Sequence, residues 1–138
     1  MTFWRCYYHV VWTTKNRAPL ITAEIERVIV DMMEEKARTL ESPLLAVNCV
    51  ADHIHVAACI PPKIAVAEWV RHMKGVSTHE VNSRFPSLPE HFRWQNHYGV
   101  LTFGATVQNF VVDYIRRQKE RHACQQIEPY MEQVTDDD

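Results

Sequence analysis

Two apolar runs lie almost back to back near the middle of the chain. Residues 44–50 (LLAVNCV) and 53–60 (HIHVAACI) are parted only by Ala51 and Asp52, and Pro61-Pro62 closes the second run. Two residues are too few for a crossover connection, so these runs predict an antiparallel hairpin with a short turn or bulge at 51–52. Side chains alternate along a strand, which puts His53 and His55 on one face and Ile54 on the other. A strand apolar enough to be buried thus carries two imidazoles side by side.

The flanking segments extend this hairpin into a sheet with helices. Residues 2–14 are aromatic and β-branched and predict a first strand, broken by 16–19. Thr22 is a natural N-cap, and Ile25, Val28, Ile29, Met32 and Met33 follow at helical spacing, predicting a helix to about Leu40. Beyond the proline pair, Ala65, Glu68, Trp69, His72 and Met73 keep a helical period to about Ser83, with Gly75 as a weak spot. Residues 85–89 form a proline-punctuated loop. Short strands are predicted at 92–94 and 100–103, around the turn His97-Tyr98-Gly99. From 105 to 122, Val107, Phe110, Val111, Tyr114 and Ile115 form one helical stripe. The order β-α-β-β-α-β-α predicts an α+β fold: a ferredoxin-like antiparallel sheet with helices packed on it.

With 138 residues, 46% of them hydrophobic, the chain suits one globular domain, placed at 1–124, followed by an acidic tail at 125–138 that ends in three aspartates. No apolar run is long enough to span a bilayer, and the start, MTFWRCYYHV, lacks the pattern of a signal peptide, so a cytoplasmic location is expected. Cys6, Cys49, Cys59 and Cys124 show neither CxxC nor scaffold spacing and are expected as reduced thiols rather than zinc ligands. A net charge of -2 argues against non-specific coating of nucleic acid but allows a local basic groove.

The chemistry concentrates at two places. The histidine pair can present two neutral imidazoles to one divalent ion. Tyr114, Gln118 and His122 fall at i, i+4 and i+8 of the last helix, on one face. A tyrosine hydroxyl can attack phosphorus to form a covalent phosphotyrosine. A metal on His53 and His55 would polarise the scissile phosphate, with the Gln118 carboxamide as a third, neutral ligand. Asp52 is expected to point away from His53 on a regular strand. His9, His72, His79, His91 and His97 are expected at the surface or at strand ends.

His53-Ile54-His55 resembles the His-hydrophobic-His (HUH) motif of the single-tyrosine transposases of small insertion sequences, a group with REP-associated relatives. YIRRQKERH, from Tyr114 to His122, resembles the tyrosine helix of that family, in which a glutamine follows the nucleophile by one turn. YYHVVWTTKNRAPLI, IPPKIAVAEWVRHMKG and FRWQNHYGVLTFG agree, so the resemblance runs from about Phe3 to His122. Ala51 stands where the family often has proline, and Arg121-His122 where it often has His-His.

The resemblance implies an HUH nuclease fold and a homodimer that cuts and rejoins single-stranded DNA at hairpin-marked ends. It implies Mg²⁺ or Mn²⁺ as cofactor, a 5′-phosphotyrosine and a free 3′-OH. Tyr114 is then the nucleophile, His53, His55 and Gln118 the metal ligands, and His122 a supporting residue. The tyrosine helix of one subunit would be able to complete the site of the other. Lys63, Arg71, Lys74, Arg84 and Arg93 are candidate DNA contacts, with Arg116, Arg117, Lys119 and Arg121 on the last helix. Trp94 and Tyr98 are the stacking candidates, while Trp69 belongs to the core stripe. Two other readings stand beside this one. One is a domesticated or inactive relative that binds DNA hairpins or processes chromosomal repeats. The other is an unrelated metallohydrolase, which the scarcity of carboxylates near the histidines disfavours.

Overall fold

The structure, a computed structural model, describes residues 2–123, with side chains described through Glu120. Cys124, the acidic tail and the side chains of Arg121 and His122 lie outside the described residues. The elements are β1 (Tyr7–Thr13), α1 (Ala23–Thr39), β2 (Leu44–Val50), β3 (His53–Cys59), α2 (Val66–Arg84), β4 (Gly99–Phe103), α3 (Gln108–Arg116) and α4 (Gln118–Ala123). The strands form one antiparallel sheet in the order β2-β3-β1-β4, and the first six elements trace the expected ferredoxin-like βαββαβ path.

Period-2 alternation sorts the strands into two faces. Tyr8, Val10, Trp12, Val47, Cys49, Ile54 and Val56 pack against α1 and α2 in the main core. Thr22 caps α1 by accepting a hydrogen bond from the Ile25 amide at 3.2 Å, and α1 buries Ile25, Val28, Ile29 and Met33 against that face. Trp69 lies in this core as expected, its indole N–H donating to Ser42 Oγ at 2.8 Å. The opposite face is covered by α3, whose Val111, Tyr114 and Ile115 pack on Ala46 and Ala57. These two small side chains leave room for a helix to sit close to the strands.

Four expectations are corrected. The first strand begins at Tyr7, not at residue 2, because β3 and β4 offer register partners only from Tyr7 onward. Residues 92–94 form no strand: a single bridge links Trp94 to Thr14. The last helix is broken at Arg117, whose backbone (φ -99°, ψ 16°) separates α3 from α4. Val107 and Phe110 do not join the buried stripe. They stand 45% and 51% exposed, because α3 meets the sheet only through the face bearing Val111, Tyr114 and Ile115. Among the described residues, no helix is long and apolar enough to cross a membrane.

Candidate active site

The β1–β3 register builds the site. His53 pairs with Thr13, His55 with Val11 and Ala57 with His9, so all six side chains share the face under α3. His53 and His55 have ring centroids 5.2 Å apart, and both are buried. Tyr114 packs edge-on to His55 with centroids 6.1 Å apart, and neither Tyr114 nor Gln118 has exposed surface. The two histidines and the tyrosine therefore share one face of the sheet, with Gln118 buried four residues beyond Tyr114 at the start of α4.

Each imidazole is gripped at Nδ1. Asp52 Oδ1 accepts from His53 Nδ1 at 2.7 Å, which corrects the expectation that this carboxylate points away: Asp52 belongs to the turn before β3, where strand alternation does not hold. The His53 hydrogen bond is the main reason the Asp52 carboxyl lies below its usual range. Partial burial opposes it, and Arg17, 3.9 Å away, assists. His55 Nδ1 meets His9 Nε2 at 2.9 Å. His9 is 2% exposed, so it is neither a surface nor a strand-end histidine. The signal for it was its β1 parity, readable only once the β1–β3 register is known.

Gln118 opens α4 directly after the break at Arg117. Its Nε2 donates to the Tyr114 carbonyl at 3.3 Å, and its Oε1 is buried without a hydrogen-bond partner among the described residues. An orphaned carboxamide oxygen is costly in a protein interior and is a ready ligand for a hard cation. Two imidazoles and one amide oxygen fit a divalent metal that keeps positions open for water and phosphate. Among the described residues, no three His, Cys, Asp or Glu side chains form a metal set.

The tyrosine segment is pinned by Asn48, on β2 opposite His55. Asn48 Nδ2 donates to the carbonyls of Ile115 and Arg116 at 3.0 and 3.1 Å, at the end of α3. Lys119 donates to Asn48 Oδ1 and pairs with Glu26 at 2.9 Å, and Glu26 also accepts from the Cys49 amide at 2.8 Å.

The predicted DNA contacts separate into groups. Arg71, Lys74, Arg93 and Tyr98 line one open groove of about 1030 Å³ together with Lys15 and His79. Lys74 there donates to the carbonyls of Gln95 and His97 at 2.7 and 2.9 Å, tying that segment to α2. Trp94 borders the same groove but is corrected as a stacking platform. It is 7% exposed, wedged edge-on between Trp12 and Phe92, and its indole N–H donates to Ser77 Oγ at 2.9 Å. Lys63 and Arg84 do not line the groove and pair with Glu41 and Glu80, while Arg117 pairs with Asp113 and Glu120.

A sequence profile of the family described as "Transposase IS200 like" matches residues 2–118, which span the sheet, both histidines, Tyr114 and Gln118. The chain belongs to the IS200-like transposases. Within this transposase family, it is 31% identical over 123 residues to the transposase for insertion sequence element IS200 of Salmonella typhimurium, covering 86% of this chain and 80% of that one. It is 23% identical over 118 residues to the ISDra2 transposase TnpA of Deinococcus radiodurans, covering 83% and 84%. Among solved structures, a proposed transposase of Deinococcus radiodurans R1 superposes with a TM-score of 0.69 at 25% identity, covering 85% of this chain and 93% of that one. A REP-associated tyrosine transposase bound to a REP hairpin superposes with a TM-score of 0.66 at 15% identity, covering 100% and 94%, a likeness of fold. The sheet of this IS200-like transposase is therefore that of the HUH enzymes.

Proposed function

We propose that this transposase cleaves and rejoins single-stranded DNA at hairpin-marked ends through a phosphotyrosine on Tyr114. The observation that carries the reading is the Tyr114 ring buried against His55, with Gln118 Oε1 nearby in the chain and buried without a hydrogen-bond partner among the described residues. The Tyr114 oxygen attacks phosphorus, and the bond from phosphorus to the 3′ oxygen breaks. The 3′ oxygen leaves as a hydroxyl, taking a proton, and the 5′ phosphate stays esterified to tyrosine. Attack by a 3′-OH on that ester reverses the step and joins strands. A Mg²⁺ or Mn²⁺ ion held by His53, His55 and Gln118 supplies Lewis-acid polarisation of the scissile phosphate when bound.

Tyr114 is buried, so the groups that cover it must move before a phosphate reaches the hydroxyl. A helix that leaves its own sheet can serve its own site or a partner's. Val100 and Leu101 on the edge strand β4, with Val107 and Phe110, expose apolar surface that supports a homodimer. The groove bearing Arg71 and Arg93 offers a path for the DNA backbone, with the half-buried Tyr98 as a stacking surface. The REP hairpin held by a structural neighbour supports hairpin DNA as the ligand, and equally a repeat-processing role or a hairpin-binding module.

Denaturing electrophoresis of labelled single-stranded DNA from the flanks of the gene tests the reading. A slow, protease-sensitive band that needs both Tyr114 and Mn²⁺ is expected, and Tyr114→Phe removes it. Unchanged cleavage by Tyr114→Phe rules out the nucleophile. Tight hairpin binding indifferent to Mn²⁺ and to His53→Ala supports the binding module.

A further inference from the structure

His9 is a buried, titratable side chain that the reaction above leaves without a task. It reaches His55 across the β1–β3 ladder on the diagonal, one pleat from the register partner Val11, with ring centroids 5.1 Å apart and a tilt of 31°. The contact is nitrogen to nitrogen, His9 Nε2 to His55 Nδ1, at 2.9 Å. Between two imidazoles such a bond needs one protonated and one bare nitrogen, so it selects a tautomer on both rings.

The neighbouring histidine sets the sense. A carboxylate only accepts, so the 2.7 Å contact with Asp52 makes His53 Nδ1 the N–H and assigns the metal-binding lone pair to Nε2. His55 stands two residues along the same strand and serves the same ion only if its own lone pair is also on Nε2. Its Nδ1 must then carry the hydrogen and donate to His9 Nε2.

We propose that His9 is a positioning residue for the metal site: it accepts the Nδ1 hydrogen of His55, holding that ring in the tautomer and orientation that present Nε2 to the cation. In this role His9 acts through His55 and is not itself a metal ligand. It does for His55 what Asp52 does for His53, with a neutral acceptor in place of an anionic one. Strand geometry explains the difference. Asp52 is the chain neighbour of His53 in a turn open to solvent, where a carboxylate is stably charged. The partner of His55 must come from β1 beneath α3, where an unpaired carboxylate would be strongly penalised and a neutral imidazole is not. The proposal rests on the reading of His53 and His55 as metal ligands.

The first measurement is made on the full-length, metal-free protein with ¹⁵N-labelled histidine, at a pH where both imidazoles are neutral. Long-range ¹H–¹⁵N correlation, with His55 assigned from His55→Ala, is expected to show His55 as the Nδ1–H tautomer. His9→Phe is expected to release it toward Nε2–H and to weaken Mn²⁺ binding, read by titration with electron paramagnetic resonance, by about 10–100-fold. His9→Gln, whose carboxamide oxygen can accept the same hydrogen, is expected to keep both the tautomer and most of the affinity. A wild-type His55 in the Nε2–H form overturns the proposal even if His9→Phe does not fold, and so does a folded His9→Phe with unchanged tautomer and Mn²⁺ affinity. Failure of the metal reading looks different: Mn²⁺ binding then survives His53→Ala and His55→Ala, while the tautomer in the metal-free protein still decides the role of His9.

Discussion

Trp94 and Tyr98 stand four residues apart on one segment, and burial gives them opposite tasks. Trp94 fills core space between Trp12 and Phe92, so Trp94→Ala is expected to cost about 3–5 kcal/mol of stability, measured by thermal or urea unfolding. Tyr98 lines the groove and is half-buried. Tyr98→Ala is expected to keep the fold and to weaken hairpin binding by about 1–3 kcal/mol in fluorescence anisotropy, the value of one stacked base. Asp52 makes a prediction in pH. Its carboxyl lies below the ordinary range, chiefly through the His53 hydrogen bond. The stability it contributes is fully present above the unfolded value of about 3.9 and is lost as pH falls through the folded value. Asp52→Asn is therefore expected to lower stability at neutral pH and to flatten the acid limb of a stability profile below about pH 4.

At the scale of elements, the C-terminal end of the helix that carries Tyr114 is tied to the sheet by Asn48. The carbonyls of Ile115 and Arg116 end α3 and need donors, and the single Asn48 carboxamide serves both. Asn48→Ala leaves those carbonyls without that donor and is expected to cost about 1–3 kcal/mol. The loss should be local. Hydrogen exchange is expected to accelerate in α3 and α4, while the β1–β3 ladder keeps its protection. Uniform acceleration across the sheet would show instead that α3 is an integral part of the core. The latch also explains why the helix breaks at Arg117: Asn48 takes the carbonyls of Ile115 and Arg116, and Lys119 turns toward Glu26.

For the whole molecule, the sheet has one covered face, one face closed by the tyrosine helix, and an edge strand with apolar side chains in solvent. Val100 and Leu101 are each 40% exposed on β4, and Phe110 is 51% exposed on α3. An edge of this kind invites pairing with another chain. If the proposed homodimer forms through this edge, Leu101→Lys combined with Phe110→Glu is expected to make the protein sediment as a monomer without lowering its melting temperature. A dimer that survives both changes places the interface elsewhere.

Periodicity made most elements legible. The two-residue gap before His53 allowed only an antiparallel hairpin, and the 3.6-residue stripes marked α1 and α2, because both signals are local. Tyr114, His53, His55 and Gln118 were legible as residues of the right chemical type, and two of them as neighbours on one strand. Their union in one site was implied only by the family resemblance and could not be derived from local pattern. It depends on α3 packing over Ala46 and Ala57, a contact between segments more than fifty residues apart in the chain. A separation of 46 residues likewise hid His9, which is one of eight histidines until the register sets it beside His55. Trp94 was misread for a related reason: an aromatic residue near a turn is exposed or buried according to what packs on it, and here Trp12, Phe92 and Ser77 do. Local pattern determined which segments are strands and helices and which side chains carry chemistry. Long-range packing alone decided which of those side chains meet, because contact across a sheet depends on register and helix docking, which no short stretch of sequence encodes.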